Sequence, residues 1–227
     1  MGIYGRFALP IRASLKAALL GLLLLPCLSG CQLLGWAASA LPAPTIAAKY
    51  TDLRGESVAV MVWVSPGVRI EWPQMQLDLA NSIQARLEQA AHSKVHELEG
   101  TTFPHTAPGI AAMQDDHPDW AYQTIDEVAP KLGATRVIYI EVESFQTRAD
   151  TSVDLFRGSI AGRMKVVHVN NGQASLMHSE DDLRNLFPAK GPEEGSLNKT
   201  DYDMYRGTLK AFATSIGNLF VPHQEDE

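Results

Sequence analysis

One stretch decides the fold of this chain: Ser57-Val58-Ala59-Val60-Met61-Val62-Trp63-Val64. Successive side chains of a strand point to opposite faces of its sheet, and here both faces are apolar and rich in β-branched residues. A short run of this kind is typical of a central strand that helices cover on both sides. Ser65-Pro66-Gly67 ends it, so the stretch predicts the first strand of an α/β domain.

Two helices and a short strand are predicted to follow this first strand. The first helix begins near Pro73, because proline suits a first helical position. The second strand is Lys94–Leu98, and residues 99–117 are expected to form mostly loop. The second helix begins at Pro118 and ends at Gly133. The apolar face of the first helix is predicted from the spacing of Met75, Leu79, Ile83, Leu87 and Ala90.

The second half of the predicted sheet is antiparallel. The third strand covers Thr135–Phe145, and a polar connection over residues 146–154 leads to a fourth strand, Leu155–Asn170. Asn171-Gly172 is a type I′ turn signal, because both of its central positions need a positive φ. The turn predicts a hairpin with a fifth strand, Gln173–Glu180. The expected cross-strand pairs are Val169 with Ala174, Val167 with Leu176, and Val166 with Met177.

A final helix is expected after a loop over residues 181–199. Thr200 and Asp203 have the spacing of a capping box, in which each side chain bonds the other residue's backbone N–H. The apolar stripe of this helix is predicted from Tyr205, Leu209, Phe212, Ile216 and Leu219.

The element order β-α-β-α-β-β-β-α predicts a mixed α/β fold. Helical crossovers make the first three strands parallel and right-handed in their connections, and the last two strands extend the sheet antiparallel. We therefore expect a single five-stranded mixed sheet in strand order 2-1-3-4-5, with helices on its faces.

The first thirty residues have the pattern of a leader. A cationic segment with Arg6, Arg12 and Lys16 precedes an apolar run, Ala17–Leu25, that is too short to span a bilayer. The run leads into Leu28-Ser29-Gly30-Cys31, which resembles the lipobox of bacterial lipoproteins. This resemblance implies cleavage before Cys31 and acylation, including palmitate, at that residue. An ordinary secretory peptide and an uncleaved anchor remain alternatives.

The leader predicts the organisation of the rest of the chain. We expect a signal peptide over residues 1–30, a lipidated N-terminus and tether over 31–50, an α/β domain over 51–222, and a frayed acidic tail over 223–227. Sorting of known lipoproteins implies that Gln32 directs the protein to the outer membrane, facing the periplasm, although the inner membrane remains possible. Membrane lipid is then one partner, held through acylated Cys31.

Composition excludes several classes of function. The 227 residues are 45% apolar and 20% charged, which is not the composition of a disordered chain. Loss of residues 1–30 removes three cations and no anion, so the net charge goes from −7 to −10, which argues against nucleic-acid binding. It also removes Cys27, so no free thiol remains. No Gly-rich phosphate loop and no Gly-x-Ser-x-Gly motif occurs, and no cofactor is expected.

The pattern of elements resembles a group of periplasmic α/β domains. The resemblance rests on the helix segment Leu77–Ile83, on Lys131-Leu132-Gly133-Ala134 before Arg136–Ile140, and on Asn170-Asn171-Gly172 between two long strands. It covers about residues 50–221 of the chain. The group includes curli-secretion lipoproteins, penicillin-binding-protein activator lipoproteins and the amino-terminal part of the Tol translocation protein. It implies binding of cell-envelope proteins without catalysis.

The predicted function is a lipid-anchored envelope protein that binds an unidentified envelope protein or takes part in an assembly. One alternative is an oligomeric subunit of a secretion or export complex, and the oligomeric state is left open. Partners of open α/β sheets gather beyond the carboxyl ends of parallel strands. Arg69 and Trp72 follow the first strand there, so we expect them to contact the partner. Alternatively, Trp72 packs on the start of the next helix.

A second alternative is an envelope hydrolase that uses residues of the long loop. His105, Asp115, Asp116 and His117 could form a nitrogen-and-oxygen metal site there, although Asp115–His117 more simply cap the next helix. Glu141 and Glu143 share one face of the third strand and could act as an acid/base pair, or lie at a solvated strand end. We expect neither a metal nor a catalytic site.

Overall fold

The computed structural model describes residues 44–149, 152–190 and 195–224, without the side chains of Ser152 and Val153. The lipobox, Cys31 and Gln32 lie outside the described residues. The strands are β1 (Thr45–Ile46), β2 (Val58–Val64), β3 (Arg136–Ala149), β4 (Ser152–Asn170), β5 (Gln173–Phe187) and β6 (His223–Gln224). The α-helices are α1 (Pro66–Glu71), α2 (Met75–His92), α3 (Ala107–Asp116), α4 (Ile125–Val128) and α5 (Asp201–Asn218). Short 3-10 turns cover His96–Leu98, Pro118–Tyr122 and Ala129–Leu132.

The main sheet has four strands in the order β2-β3-β4-β5. Strand β2 is parallel to β3, with Val58 opposite Arg136, whereas β3–β4 and β4–β5 are antiparallel. A separate two-stranded sheet joins β1 to β6. The prediction of a mixed α/β fold is therefore confirmed, but the prediction of a single five-stranded sheet is wrong.

The missing strand is the second predicted one, Lys94–Leu98. Lys94 ends helix α2 at φ 57°, and the backbone N–H groups of Lys94 and Val95 bond back to the carbonyls of Ala91 and Ala90. These bonds turn the chain into a 3-10 turn instead of a strand. Within the described residues, strand-like pairing on this side of β2 is limited to an isolated parallel bridge between Ser57 and Thr102. Apolar character at Val95 and Leu98 therefore reflects packing on the core and not strand pairing.

The predicted loop over residues 99–117 contains helix α3, which is a second correction. The side chain of Thr106 caps this helix by accepting a hydrogen bond from the backbone N–H of Gly109 at 3.2 Å. Ile110 is buried, and the Gln114 amide donates to the carbonyl of Val62 at 3.0 Å. Helix α3 thus covers the free edge of β2, where the second predicted strand was expected.

The predicted helix between Pro118 and Gly133 is present only in pieces. A capping box between Thr124 and Glu127 starts helix α4, which ends at Val128. Pro130 has no N–H to continue the α-helical pattern, and the chain tightens into a 3-10 turn there. Gly133 stops the segment at φ 64°, in agreement with the prediction.

The antiparallel strands are longer than predicted. Strand β3 runs to Ala149 and β4 begins at Ser152, so the expected connection over 146–154 is mostly strand. Strand β5 runs to Phe187, so the expected loop over 181–199 is shorter.

The Asn171-Gly172 turn is confirmed by φ values of 50° and 76°. The pairs Val169–Ala174 and Val167–Leu176 are also confirmed, but a register shift places Val166 opposite His178 and not Met177.

Helices cover both faces of the sheet. Helices α2 and α5 pack on one face, over a core that includes Val60, Ile138 and Val166. The predicted capping box at Thr200 and Asp203 starts α5, and its predicted stripe is buried. A smaller core with Trp120 and Val137 lies on the other face, beneath α3 and α4. Among the described residues, no helix has the length and apolarity that a membrane span requires.

The two ends of the domain meet in the small sheet. Thr45 pairs with Gln224 and Ile46 with His223, at the position where an acidic tail was predicted to begin. Residues 225–227 lie outside the described residues. The predicted tether therefore ends in ordered structure, and Tyr50, near its end, is part of the core.

Candidate functional site

The predicted partner-binding segment lies at the carboxyl end of β2 and forms helix α1. The backbone N–H of Ser65 donates to the carbonyl of Val142 at 3.0 Å, and its hydroxyl donates to the carbonyl of Glu143 at 3.0 Å. Pro66 then starts the helix at a position that needs no N–H donor. These bonds hold α1 against the middle of β3.

The exposed residues of helix α1 include Arg69 and Ile70. The guanidinium carbon of Arg69 lies 5.8 Å from the centre of the Trp63 ring, in cation–π geometry. Ile70 is 85% exposed. Arg69 also lines a cavity of about 400 Å³ between the start of α2 and the second half of α3, together with Gln76 and Asp115.

The second predicted contact residue, Trp72, is half-buried. Its ring stacks on Tyr205 of α5, with centroids 4.9 Å apart, and it meets Phe145 edge-on at 5.4 Å. The exposed part of Trp72 lines a cavity of about 360 Å³ with Glu71 and Gln146. Helix α1 therefore lies between two shallow cavities, one lined by each of the predicted residues.

The carboxylates of the third predicted strand are paired with an arginine. Arg163 of β4 lies between them, with its Nε 3.4 Å from Glu141 and an Nη 2.6 Å from Glu143. The two carboxylates do lie on one face, as predicted. Arg163 therefore holds both carboxylates in ion pairs within the sheet.

The histidine and aspartate residues of the hydrolase alternative are engaged separately. The His105 ring nitrogen Nε2 lies 2.7 Å from the carbonyl oxygen of Leu132. The His117 ring stacks on Trp120, with centroids 4.9 Å apart, and lies 4.0 Å from Asp119. Within residues 44–149, 152–190 and 195–224, no cluster of three or more His, Cys, Asp or Glu side chains could hold a metal ion.

The structure contains a groove between α2 and α5 that was not among the features predicted from the sequence. It has a volume of about 850 Å³, and its walls carry Asp78 and Asn81 from α2 and Tyr202, Arg206 and Lys210 from α5. These polar residues recur at helical spacing, and that spacing is the one feature of the sequence that could have indicated a polar face on each helix. The sequence does not show, however, that the two helices lie side by side.

A part-buried hydrogen bond holds the floor of the groove. The hydroxyl of Tyr205 donates to Asp78 Oδ2 at 2.7 Å, and so joins α5 to α2. Burial and the Asp78 carboxylate both raise the pKa of Tyr205, because each disfavours the phenolate. Tyr205 is therefore a neutral donor at any physiological pH, and Trp72 supports its ring from behind.

Of the comparisons with known proteins, the one with solved structures found chains similar to this one. No family model matches the chain, and no curated protein matches it. A PelC dodecamer from Paraburkholderia phytofirmans is 12% identical, covers 79% of this chain and 98% of its own, and has a TM-score of 0.37. Lipoprotein GNA1162 from Neisseria meningitidis is 15% identical, covers 71% of this chain and 98% of its own, and has a TM-score of 0.41. Hypothetical protein CT253 from Chlamydia trachomatis is 17% identical, covers 73% of this chain and 98% of its own, and has a TM-score of 0.39.

Proposed function

We propose that this protein is a lipid-anchored component of the cell envelope that binds another envelope protein without catalysis. The anchoring part of the proposal is supported by the cationic and apolar leader segments and by Leu28-Ser29-Gly30-Cys31. Acyl chains on Cys31 would hold the domain at the outer membrane, on its periplasmic side, with Gln32 supporting that choice of membrane.

The binding part of the proposal rests on one observation, the exposure of Ile70 on helix α1. The exposed Ile70 leaves apolar surface that a partner could bury, and Arg and Trp, the types of residue on either side of it, are enriched among the residues that contribute most to protein interfaces. Arg69 and Trp72 line the cavities on either side of this helix. In the proposed complex the partner covers Ile70, and Arg69 and the exposed part of Trp72 contact it at the rim.

A non-catalytic role is supported by the charge arrangement in the middle of β3 and β4. Arg163 forms ion pairs with both Glu141 and Glu143, and the ring nitrogen Nε2 of His105 lies against a backbone carbonyl. No metal or other cofactor is part of the proposal.

One observation favours a second candidate function, that of an oligomeric subunit of an export complex. Strand β5 is an edge of the main sheet, and Leu176 and Met177 are both exposed on it. Edge strands of this kind can pair with a further chain. Sedimentation analysis of the lipidated protein in detergent separates the two: a ring of many copies supports the export subunit, whereas a monomer excludes it.

The test of the proposed function is site-specific photocrosslinking in intact cells. A photoreactive amino acid replaces Ile70 in the full chain, and Tyr122, which is 93% exposed elsewhere on the domain, serves as the matched control position. We expect a discrete adduct from position 70 that is lost in the Arg69→Glu background. An adduct of the same mass and yield from both positions, or none from position 70, would refute the proposal.

A further inference from the structure

The groove between α2 and α5 has the features of a second interaction surface, separate from α1. On its α5 side, three residues are spaced four apart, Tyr202, Arg206 and Lys210. Side chains at this spacing lie on one helix face and are about 6 Å apart along the axis. They therefore form a line of about 12 Å, and all three are exposed.

The two basic residues of this line are available for binding. Neither Arg206 nor Lys210 forms a salt bridge with the residues that the structure describes. By contrast, both carboxylates of the groove accept hydrogen bonds from within the domain. Asp78 accepts from the Tyr205 hydroxyl, and Asp203 accepts from the backbone N–H and the hydroxyl of Thr200. One oxygen of each carboxylate is thus engaged within the domain, whereas Arg206 and Lys210 have no carboxylate partner among the described residues.

One aromatic residue completes the line. Tyr202 is 62% exposed, and the guanidinium carbon of Arg206 lies 5.7 Å from the centre of its ring. This contact orders both side chains before any partner arrives, which lowers the conformational entropy lost on binding. Tyr and Arg are also the side chains that contribute most at protein interfaces.

We propose that this groove binds an acidic segment of a partner polypeptide. An apolar side chain of the segment lies against Tyr202, and two carboxylates reach Arg206 and Lys210. Alternate residues of an extended chain are about 7 Å apart, close to the spacing of the two cations. The polar wall formed by Asn81 and Ser82 of α2 is suited to the backbone of such a segment.

Synthetic peptides test this inference on the full lipidated chain in dodecylmaltoside micelles. The probe is a fluorescent peptide of sequence Phe-Glu-Ala-Glu-Ala, with Gln or Lys at both Glu positions as control peptides. We expect the Glu peptide to bind at low salt and to bind at least tenfold more weakly to R206E/K210E. The matched control protein is R184E/K94E, which makes the same change of charge at two exposed positions outside the groove and should bind like wild type.

Charge exchange provides the sharpest readout. The Lys peptide should bind R206E/K210E more tightly than it binds wild type, since the attraction is then restored with the signs reversed. Equal binding of the Glu and Gln peptides, or equal weakening in both variants, would overturn the proposal.

Two other occupants are distinguished in the same experiment. Displacement of the peptide by phosphatidylglycerol in mixed micelles would show a lipid headgroup site and would overturn the proposal. Self-association of the protein that the R206E/K210E variant abolishes would show that a second copy occupies the groove, and would overturn it too. Because crosslinking at Ile70 does not involve the groove, the proposed function and this inference can fail separately.

Discussion

The indole ring of Trp72 lies almost parallel to the phenol ring of Tyr205, with an interplanar angle of 14° and centroids 4.9 Å apart. This stack joins the segment after α1 to helix α5. Tyr205 in turn bonds Asp78 of α2, so one aromatic contact connects the proposed partner surface on α1 to the groove. The residue chosen from sequence as a partner contact thus also has a structural role.

Truncation of Trp72 measures that structural role. We expect Trp72→Ala to lower the free energy of unfolding by about 2–4 kcal/mol, because a half-buried ring leaves both Tyr205 and Phe145. Trp72→Phe keeps an aromatic ring in place and should lose less than about 1.5 kcal/mol. Urea unfolding monitored by circular dichroism measures both. An Ala variant as stable as wild type would mean that the ring serves partner binding alone.

Close packing of β4 on β3 depends on a glycine. A Cβ atom at Gly162 would overlap the backbone carbonyl of Glu141, at the register shift of β3. We expect Gly162→Ala to destabilise the protein by about 1–3 kcal/mol in thermal unfolding, because backbone atoms cannot move aside cheaply. Gly67→Ala, on α1 with open space around it, is the control and should leave stability unchanged or raise it by up to about 1 kcal/mol. Equal effects of the two changes would contradict this account of Gly162.

The pH dependence of stability should include a contribution from Asp201. Hydrogen bonds from Arg148 and then from Thr147 lower the pKa of Asp201 below its usual value of 3.8. The folded state therefore favours the carboxylate, so this contribution is present above pH 3.8 and is lost as the pH falls through the lower folded-state pKa. It should be below about 1 kcal/mol, because the side chain is 44% exposed and solvent screens the pair.

Asp201→Asn should therefore flatten the fall in stability below about pH 4, measured by urea unfolding in a pH series. Asp182→Asn is the control, since Asp182 is on the surface of β5 with a side chain that is 78% exposed. If the Asp201→Asn variant loses stability with acid as steeply as wild type, the contribution of Asp201 is absent.

The proposed anchor makes a prediction that needs only mass spectrometry. The mature protein should begin at residue 31 and carry the added mass of a diacylglyceryl group and an acyl chain. Cys31→Ser removes the thiol that accepts the lipid, so the protein should keep its leader and its unmodified mass. Cys27→Ser leaves the lipobox intact and should mature normally. Lipidation of the Cys31→Ser protein would place the modification elsewhere.

Short-range signals predicted their elements well. The Asn171-Gly172 turn and the Thr200–Asp203 capping box depend on backbone conformation and on side chains within three residues, so local sequence contains the information. The strand Val58–Val64 could also be predicted from local sequence, because a strand covered on both faces has apolar residues at successive positions with no polar alternation. Errors arose where an apolar segment had more than one way to be buried, as at Lys94–Leu98.

Local sequence pattern was enough to predict the mixed α/β class, the parallel pairing of the first predicted strand with the third, the hairpin and the start of the last helix. Three features could be seen only in the folded domain: Gln114 covers the free edge of β2, Trp72 stacks on Tyr205, and α2 and α5 enclose a groove. The physical reason is range. Turns and caps are stabilised by contacts between neighbours in the chain, whereas these three features join residues more than fifty positions apart, and local pattern does not specify which distant face each apolar or polar residue will meet.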